Sequence, residues 1–331
     1  MRIRRRTRIT IAVVVVILLL LAIAVYLRKK APPEAARLLP ESDGIVYLNL
    51  QPLRAVTHFD QHPVAHDPDY QKFIDATGIQ FERDLDAVAF ALHRMPNPDG
   101  PNGLVAFSEV FEGHFDGRKL TQYLEGLSAA QENYAGHTIY SIPSDGRTVR
   151  ATLLGYDMVA VSNTPTAEQI HSILDRYRSA ALPFSGSSLL TEHYEDVPLL
   201  SLAWGIGQIG LPFGDSGEVS VMGLRLPVNF DSMFIASVRW TGALRLRLEE
   251  IAPTEAAAAT SADSVKTLVS LVRNAQGVIP GMTDADLKPL LDSIQIDHHK
   301  DRAILRATIP PQLLERIVVP GKLSPPAGSG K

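Results

Sequence analysis

The chain has 331 residues, 32 of them basic and 36 acidic, a net charge of −4, and no cysteine. Missing thiols exclude disulfides, thiolate nucleophiles, cysteine-ligated zinc and iron–sulfur clusters, so stability has to come from core burial. Residues 1–30 hold eight of the basic residues and no acidic one, which leaves 24 basic against 36 acidic over residues 31–331, a net of −12. An acidic body of this kind does not match phosphate backbones, so nucleic acid is not an expected partner. Anionic lipid head groups should likewise be repelled by it, except near Arg28.

MRIRRRTR opens the chain, and Ile9 to Leu27 follow without a charge before Arg28-Lys29-Lys30. At about 1.5 Å per residue, such a helix spans roughly 28 Å, close to the hydrocarbon thickness of a bilayer. The run therefore reads as a single transmembrane helix contacting the lipid bilayer through residues 9–27, preceded by a cytoplasmic basic tip. Basic residues are in excess on the N-terminal side, which places the N-terminus in the cytoplasm and the body in the periplasm or outside the cell. The rival reading is a signal peptide cut after Ala22-Ile23-Ala24, with a mature chain starting at Val25.

Residues 31–42 contain Pro32, Pro33 and Pro40 and read as a spacer. Gly44 to Leu50 alternate as a first strand. Asp67 caps a helix over 68–77 that opens on Pro68, carries Tyr70, Phe73 and Ile74 as its apolar stripe, and closes on Gly78. Strands follow at 86–92 and 104–111, split by the turn 96–103. Asp116 caps the next helix, with Leu120, Tyr123, Leu124 and Leu127 at helical spacing. Three strands at 137–142, 147–154 and 157–162 lead to a helix opening at Thr164-Pro165, with Ile170, Ile173, Leu174 and Tyr177 on one face. Residues 179–198 are mixed and polar. Strand-like runs then fall at 199–204, 219–226, 233–240 and 242–249. A helix over 254–276 is expected to bury Val265, Leu268, Val269, Val272 and Ala275 and to expose its first turns, TEAAAATSAD. A helix at 284–292, a hairpin at 293–298 and 302–309, and a short helix from Gln312 to Ile317 precede a tail disordered by composition.

Strand groups joined by short turns, with helices between groups, indicate an α+β fold of antiparallel sheets with helices packed on one face. The expected organisation is 1–30 tip and anchor, 31–42 spacer, 43–180 first α+β region, 181–198 linker, 199–318 second α+β region and 319–331 tail. DGIVYLNL (43–50), DPDYQKFIDATGIQFERDLDAVAFAL (67–92) and FEGHFDGRKL (111–120), behind one N-terminal helix, resemble stretches of uncharacterised bacterial signal-anchored proteins. That resemblance implies the same α+β plan over most of the body and no activity for any named residue.

Four groups of residues invite a chemical reading. Gly205, Gly207 and Gly210 form G-x-G-x-x-G after an apolar run, but a dinucleotide site needs those glycines to open a helix inside a βαβ unit, and Pro212 follows instead. A glycine-rich bend is the simpler reading. Gly214-Asp215-Ser216-Gly217, with His66 upstream, resembles the serine motif of chymotrypsin-like proteases. Glu218 and Val219 then break the pattern, and the barrel preceding the histidine has no room before His66. His58, His62 and His66 are spaced for three imidazoles on one helical face, the donor set of an open zinc site, although Pro63 disrupts that helix. They are the metal candidates. Asp297-His298-His299 and Asp301 sit at a hairpin turn, where polar residues are expected anyway. No H-E-x-x-H, P-loop or G-x-S-x-G occurs. Glu249-Glu250 reads as a solvated strand end. No catalytic residue and no cofactor is assigned.

The expected protein is membrane-anchored and extracytoplasmic, with a non-enzymatic role in binding or envelope organisation and an envelope protein as partner. The alternatives are a metal-dependent or serine hydrolase without a recognisable motif, and a lipid-binding carrier.

Overall fold

The computed structural model describes residues 31–61, 66–179, 186–208, 219–221, 224–226, 232–274 and 284–311. The anchor segment, His62, the G-D-S-G motif, Gly210 and the C-terminal helix and tail fall outside them. Among the described residues no helix is long and apolar enough to cross a membrane.

Apolar alternation builds most of the strands. These are β1 (Gly44–Asn49), β2 (Leu85–Arg94), β3 (Val105–Gly113), β4 (Ala130–Tyr134), β5 (His137–Ser144), β6 (Arg147–Leu154) and β7 (Met158–Ser162), then β8 (Ala203–Gln208), β9 (Val219–Val221), β10 (Leu224–Leu226), β11 (Met233–Trp240), β12 (Leu244–Ile251), β13 (Gln295–His299) and β14 (Arg302–Ile309). Twelve of them form one sheet in the order β13-β14-β12-β11-β8-β1-β2-β3-β7-β6-β5-β4, and β9 and β10 pair separately. Every pairing is antiparallel. The protein is thus α+β with a large antiparallel sheet. The two expected regions share it: β1 pairs with β2 on one side and β8 on the other, Val46 lying opposite both Phe90 and Gly205.

The helices are α1 (Glu34–Leu38), α2 (Leu50–Thr57), α3 (Pro68–Thr77), α4 (Phe81–Asp84), α5 (Gly117–Leu127), α6 (Glu168–Ser179), α7 (Ser188–His193), α8 (Glu255–Asn274) and α9 (Asp284–Ser293). Local chemistry sets the best of them. The Asp67 carboxylate accepts from the amides of Asp69 and Tyr70 at the start of α3, and Gly78 closes it with φ 74°. Asp116 does the same for α5 through Arg118 and Lys119. Each satisfies two amide groups that a helix start otherwise leaves open.

Helices pack on both faces of the sheet, not on one. One face holds the main core, where Ala35 and Ala36 of α1, Ile170, Ile173 and Leu174 of α6, and Leu189 and Leu190 of α7 meet Ile45, Tyr47, Ala89, Val110, Trp204 and Ile206. The other face receives Leu120 and Leu124 of α5 against Tyr140, Ala151 and Val159. Strands β5 to β7 are apolar on both sides, so both sides need covering.

The expected spacer and linker are both structural. Ala35, Ala36, Leu38 and Leu39 of the first, and Leu189, Leu190 and Val197 of the second, are core residues. Glu249 and Glu250, expected in solvent, are buried. Glu249 pairs with Arg247 and, at 2.7 Å, with Arg302, which also reaches Asp196 at 2.9 Å. Both carboxylates hold the Arg302 guanidinium strongly in its charged form. Glu250 accepts from the Ser232 hydroxyl at 2.8 Å. In α8 the first turns, expected in solvent, bury Ala258 and Ala262 against Ala303 and Ile296, while Val265, Leu268, Val269 and Val272 of the expected stripe are half-buried. Small side chains let the helix approach β13 and β14 closely.

Candidate functional site

The histidine group does not assemble within the described residues. His58 is the left-handed cap of α2, with φ 51°. His66 lies 3.1 Å from Glu82 Oε1 and stands edge-on to Tyr70, whose hydroxyl donates to Glu82 Oε2 at 3.0 Å. Burial pushes the Tyr70 phenol up to about 12. Burial also raises Glu82, but its own amide, Tyr70 and His66 more than offset that and hold the carboxyl below its ordinary value. These bonds tie α3 to α4. Among the described residues no three His, Asp or Glu side chains converge on a metal position.

Gly205 and Gly207 lie inside β8, so the G-x-G run opens no helix. A methyl group on Gly207 would stand 2.6 Å from Gly44 Cα and 2.9 Å from Asp43 O. The glycine is needed for close passage of β1 and β8, a backbone reason rather than a nucleotide one. Asp297, His298 and His299 form the exposed edge strand β13, and Asp297 pairs with Arg306 at 3.1 Å.

One serine does meet the geometric requirement of a nucleophile–base pair, and it was not singled out in the sequence. His93 Nε2 is 2.9 Å from Ser108 Oγ, Ser108 is 3.2 Å from Ser162, and Ser162 is 2.8 Å from Thr164. Burial holds the His93 imidazole below its ordinary range, opposed by Asp43. Ser108 is wholly buried and its hydroxyl is already engaged along the chain. Ser108, Ser162 and Thr164 are all buried, so the row is an internal hydrogen-bonded ladder, next to the buried Asn102, rather than an open site.

The site with an opening lies where β2 starts and β3 ends. A bulge between Leu85 and Ala87 leaves Asp86 without a partner on β3. Gly113 makes the crossing possible, because a side chain there would strike Asp84 O at 2.2 Å. Asp86, Glu112, His114, Phe115, Tyr156 and Asp157 line a cavity of about 490 Å³. His114 Nδ1 is 3.3 Å and Arg54 Nη1 3.5 Å from Asp86. The Arg54 guanidinium is otherwise spent on the carbonyls of Glu82 and Leu85. Burial first, then Asp157, Glu34 and Asp86, push the Glu112 carboxyl above its ordinary value. Tyr156, on the β6–β7 turn, is 97% exposed beside it. The arrangement concentrates negative charge under an aromatic lip, which suits an organic cation. Its residues come from the bulge in β2, the end of β3 with the turn after it, and the β6–β7 turn, so no local motif marked them.

An α+β protein built on one large antiparallel sheet is the class this architecture defines. No family model and no curated protein matches the chain. Three crystal forms of TP0453 have similar folds. Form IV has 14% identity and a TM-score of 0.46, covering 86% of this chain and 96% of that one. Form III has 14% and 0.47, covering 87% and 99%. Form I has 12% and 0.45, covering 88% and 98%.

Proposed function

We propose that the chain is a signal-anchored, extracytoplasmic binding protein, held in the membrane by residues 9–27 with its N-terminus in the cytoplasm, and acting without catalysis in envelope organisation. It resembles in plan the uncharacterised bacterial signal-anchored proteins. The observation that carries the reading is the pocket at Glu112. Burial first, and then the like charges of Asp157, Glu34 and Asp86, disfavour the ionised Glu112 carboxyl, and an incoming cation relieves the like-charge part. Tyr156 offers the exposed aromatic surface typical of a contact hot spot. The partner is an envelope protein presenting a lysine or arginine.

A photo-reactive phenylalanine analogue at Tyr156, in the full-length chain in its native envelope, tests this. The expected result is one discrete cross-linked protein, lost in Glu112→Gln with Asp157→Asn. Cross-linking to residues 28–30 of the same chain would show the pocket occupied by its own basic segment and overturn the partner reading. Capture unaffected by the double substitution would overturn it too.

A further inference from the structure

We propose that the sheet corner formed by the Leu199-Leu200 turn and the Arg239/Arg245 pair rests on the bilayer surface; this builds on the anchored reading above. Three observations converge on it. The first is an exposed apolar tip. Leu199 is 49% and Leu200 83% exposed, and Leu200 holds φ 62°. The other non-glycine residues with positive φ are His58, Ala135, Asp145 and Lys300. His58 caps a helix, and the other three sit in hairpin turns, where that backbone is ordinary. A branched apolar side chain held in this conformation in solvent is an outlier that calls for a contact outside the described chain.

The second observation is charge. Arg239 and Arg245 lie directly opposite each other on β11 and β12, like charges in register. Among the described residues neither has an acidic or hydrogen-bonding partner. Phosphate oxygens of anionic lipids complement such a pair. It adjoins the leucine turn, since Leu202 donates its amide to Val238 O at 2.7 Å, one residue before Arg239.

The third is where the chain arrives. Glu34, the first residue of α1, lies within electrostatic reach of Glu112. Glu112 is level with Ala87 and so with Asn49, the last residue of β1. The leucine turn sits at that same end, because Asn49 donates to Leu202 O at 2.6 Å. Because α1 is buried in the core, residues 28–33 alone separate the hydrophobic run from the folded body. At about 3.3–3.6 Å per residue they reach at most about 20 Å. This end of the sheet is therefore held against the membrane. The acidic pocket shares the end but lies about three to four strands away, roughly 14–19 Å. That exceeds the screening length at physiological salt, about 8 Å.

The full-length chain tests this after reconstitution into phosphatidylcholine vesicles containing phosphatidylglycerol. With no native cysteine, a single environment-sensitive fluorophore can be placed by Leu199→Cys, Leu200→Cys or, at the opposite end of the sheet, Ser144→Cys. The expected result is quenching by doxyl-labelled lipid that is several-fold stronger at 199 and 200 than at 144. Arg239→Gln with Arg245→Gln should reduce that quenching in anionic vesicles. Equal aqueous iodide access at 200 and 144 would overturn the inference. So would shielding of position 200 in detergent that rises with protein concentration, which would assign the corner to a second copy. Flotation separates the two readings: a floating chain with water-exposed Leu200 overturns this inference and leaves the anchor standing, whereas a chain that does not float overturns both.

Discussion

Glu109 stands in β3 directly between Phe90 of β2 and Val161 of β7, on the face opposite the main core. Among the described residues its carboxyl has no hydrogen-bonding partner. Burial alone raises it from an ordinary 4.5 to about 7. At about 1.36 kcal/mol per pH unit, that rise corresponds to about 3 kcal/mol. The sign follows from linkage: between 4.5 and 7 the folded state binds the proton more tightly than the unfolded state, so stability falls as pH rises through that window and stays lowered above it. Glu109→Gln keeps the shape and removes the charge. The substitution is expected to stabilise the protein by about 2–3 kcal/mol at pH 8 and to change it little at pH 4.5. Urea unfolding of the full chain in detergent, followed by the fluorescence of its two tryptophans, of which Trp204 is buried against Tyr47, measures both. A stability difference between the two proteins that is the same at pH 4.5 and pH 8 would refute the argument, because the carboxyl would then not be desolvated in the fold.

Gly207→Ala should cost about 1–3 kcal/mol through backbone overpacking against Gly44 and Asp43, whereas Gly205→Ala, whose nearest neighbour is 3.5 Å away, should cost far less; urea midpoints distinguish them. Glu249→Ala should cost about 1–3 kcal/mol, because it takes the shared carboxylate from Arg247 and Arg302 while both arginines keep access to solvent and Arg302 keeps Asp196, and the same titration reads it.

Caps and stripes were legible in the sequence because they act over a few residues. Asp67, Pro68 and Gly78 define α3, and Ile170, Ile173 and Leu174 are all fully buried as their spacing indicates. The helix carrying them starts at Glu168 rather than at Thr164-Pro165, because Arg150 holds the carbonyls of Thr164, Pro165 and Thr166. What went unread depends on distant partners. β4, residues 130–134, is almost wholly exposed and shows no apolar alternation; pairing with β5 makes it a strand. Leu199 to Leu202 look like a strand by composition, yet the pairing begins at Ala203, which Val238 and Leu48 set. The pocket at Glu112 was invisible for the same reason, since a bulge and two separate turns bring its residues together.

That dependence on distant partners bears on how the chain can be divided. Linker-like composition around residues 180–198 suggests a cut there, but the sheet argues against one. Removing everything after residue 180 would strip β1 of its β8 partner and leave its outer backbone groups open along Gly44 to Leu48. It would also uncover Tyr47, which stacks on Trp204 at 5.5 Å, and Ile45, which is fully buried. The α7 leucines and Val197 would leave the same core. A freshly exposed, apolar central strand edge is an aggregation template. A chain ending at residue 180 is therefore expected to be insoluble or to lack cooperative unfolding, as read by size exclusion and urea titration. A monomeric, cooperatively folded product would show that the first seven strands hold a core of their own, and would separate the two regions that β1 and β8 here join.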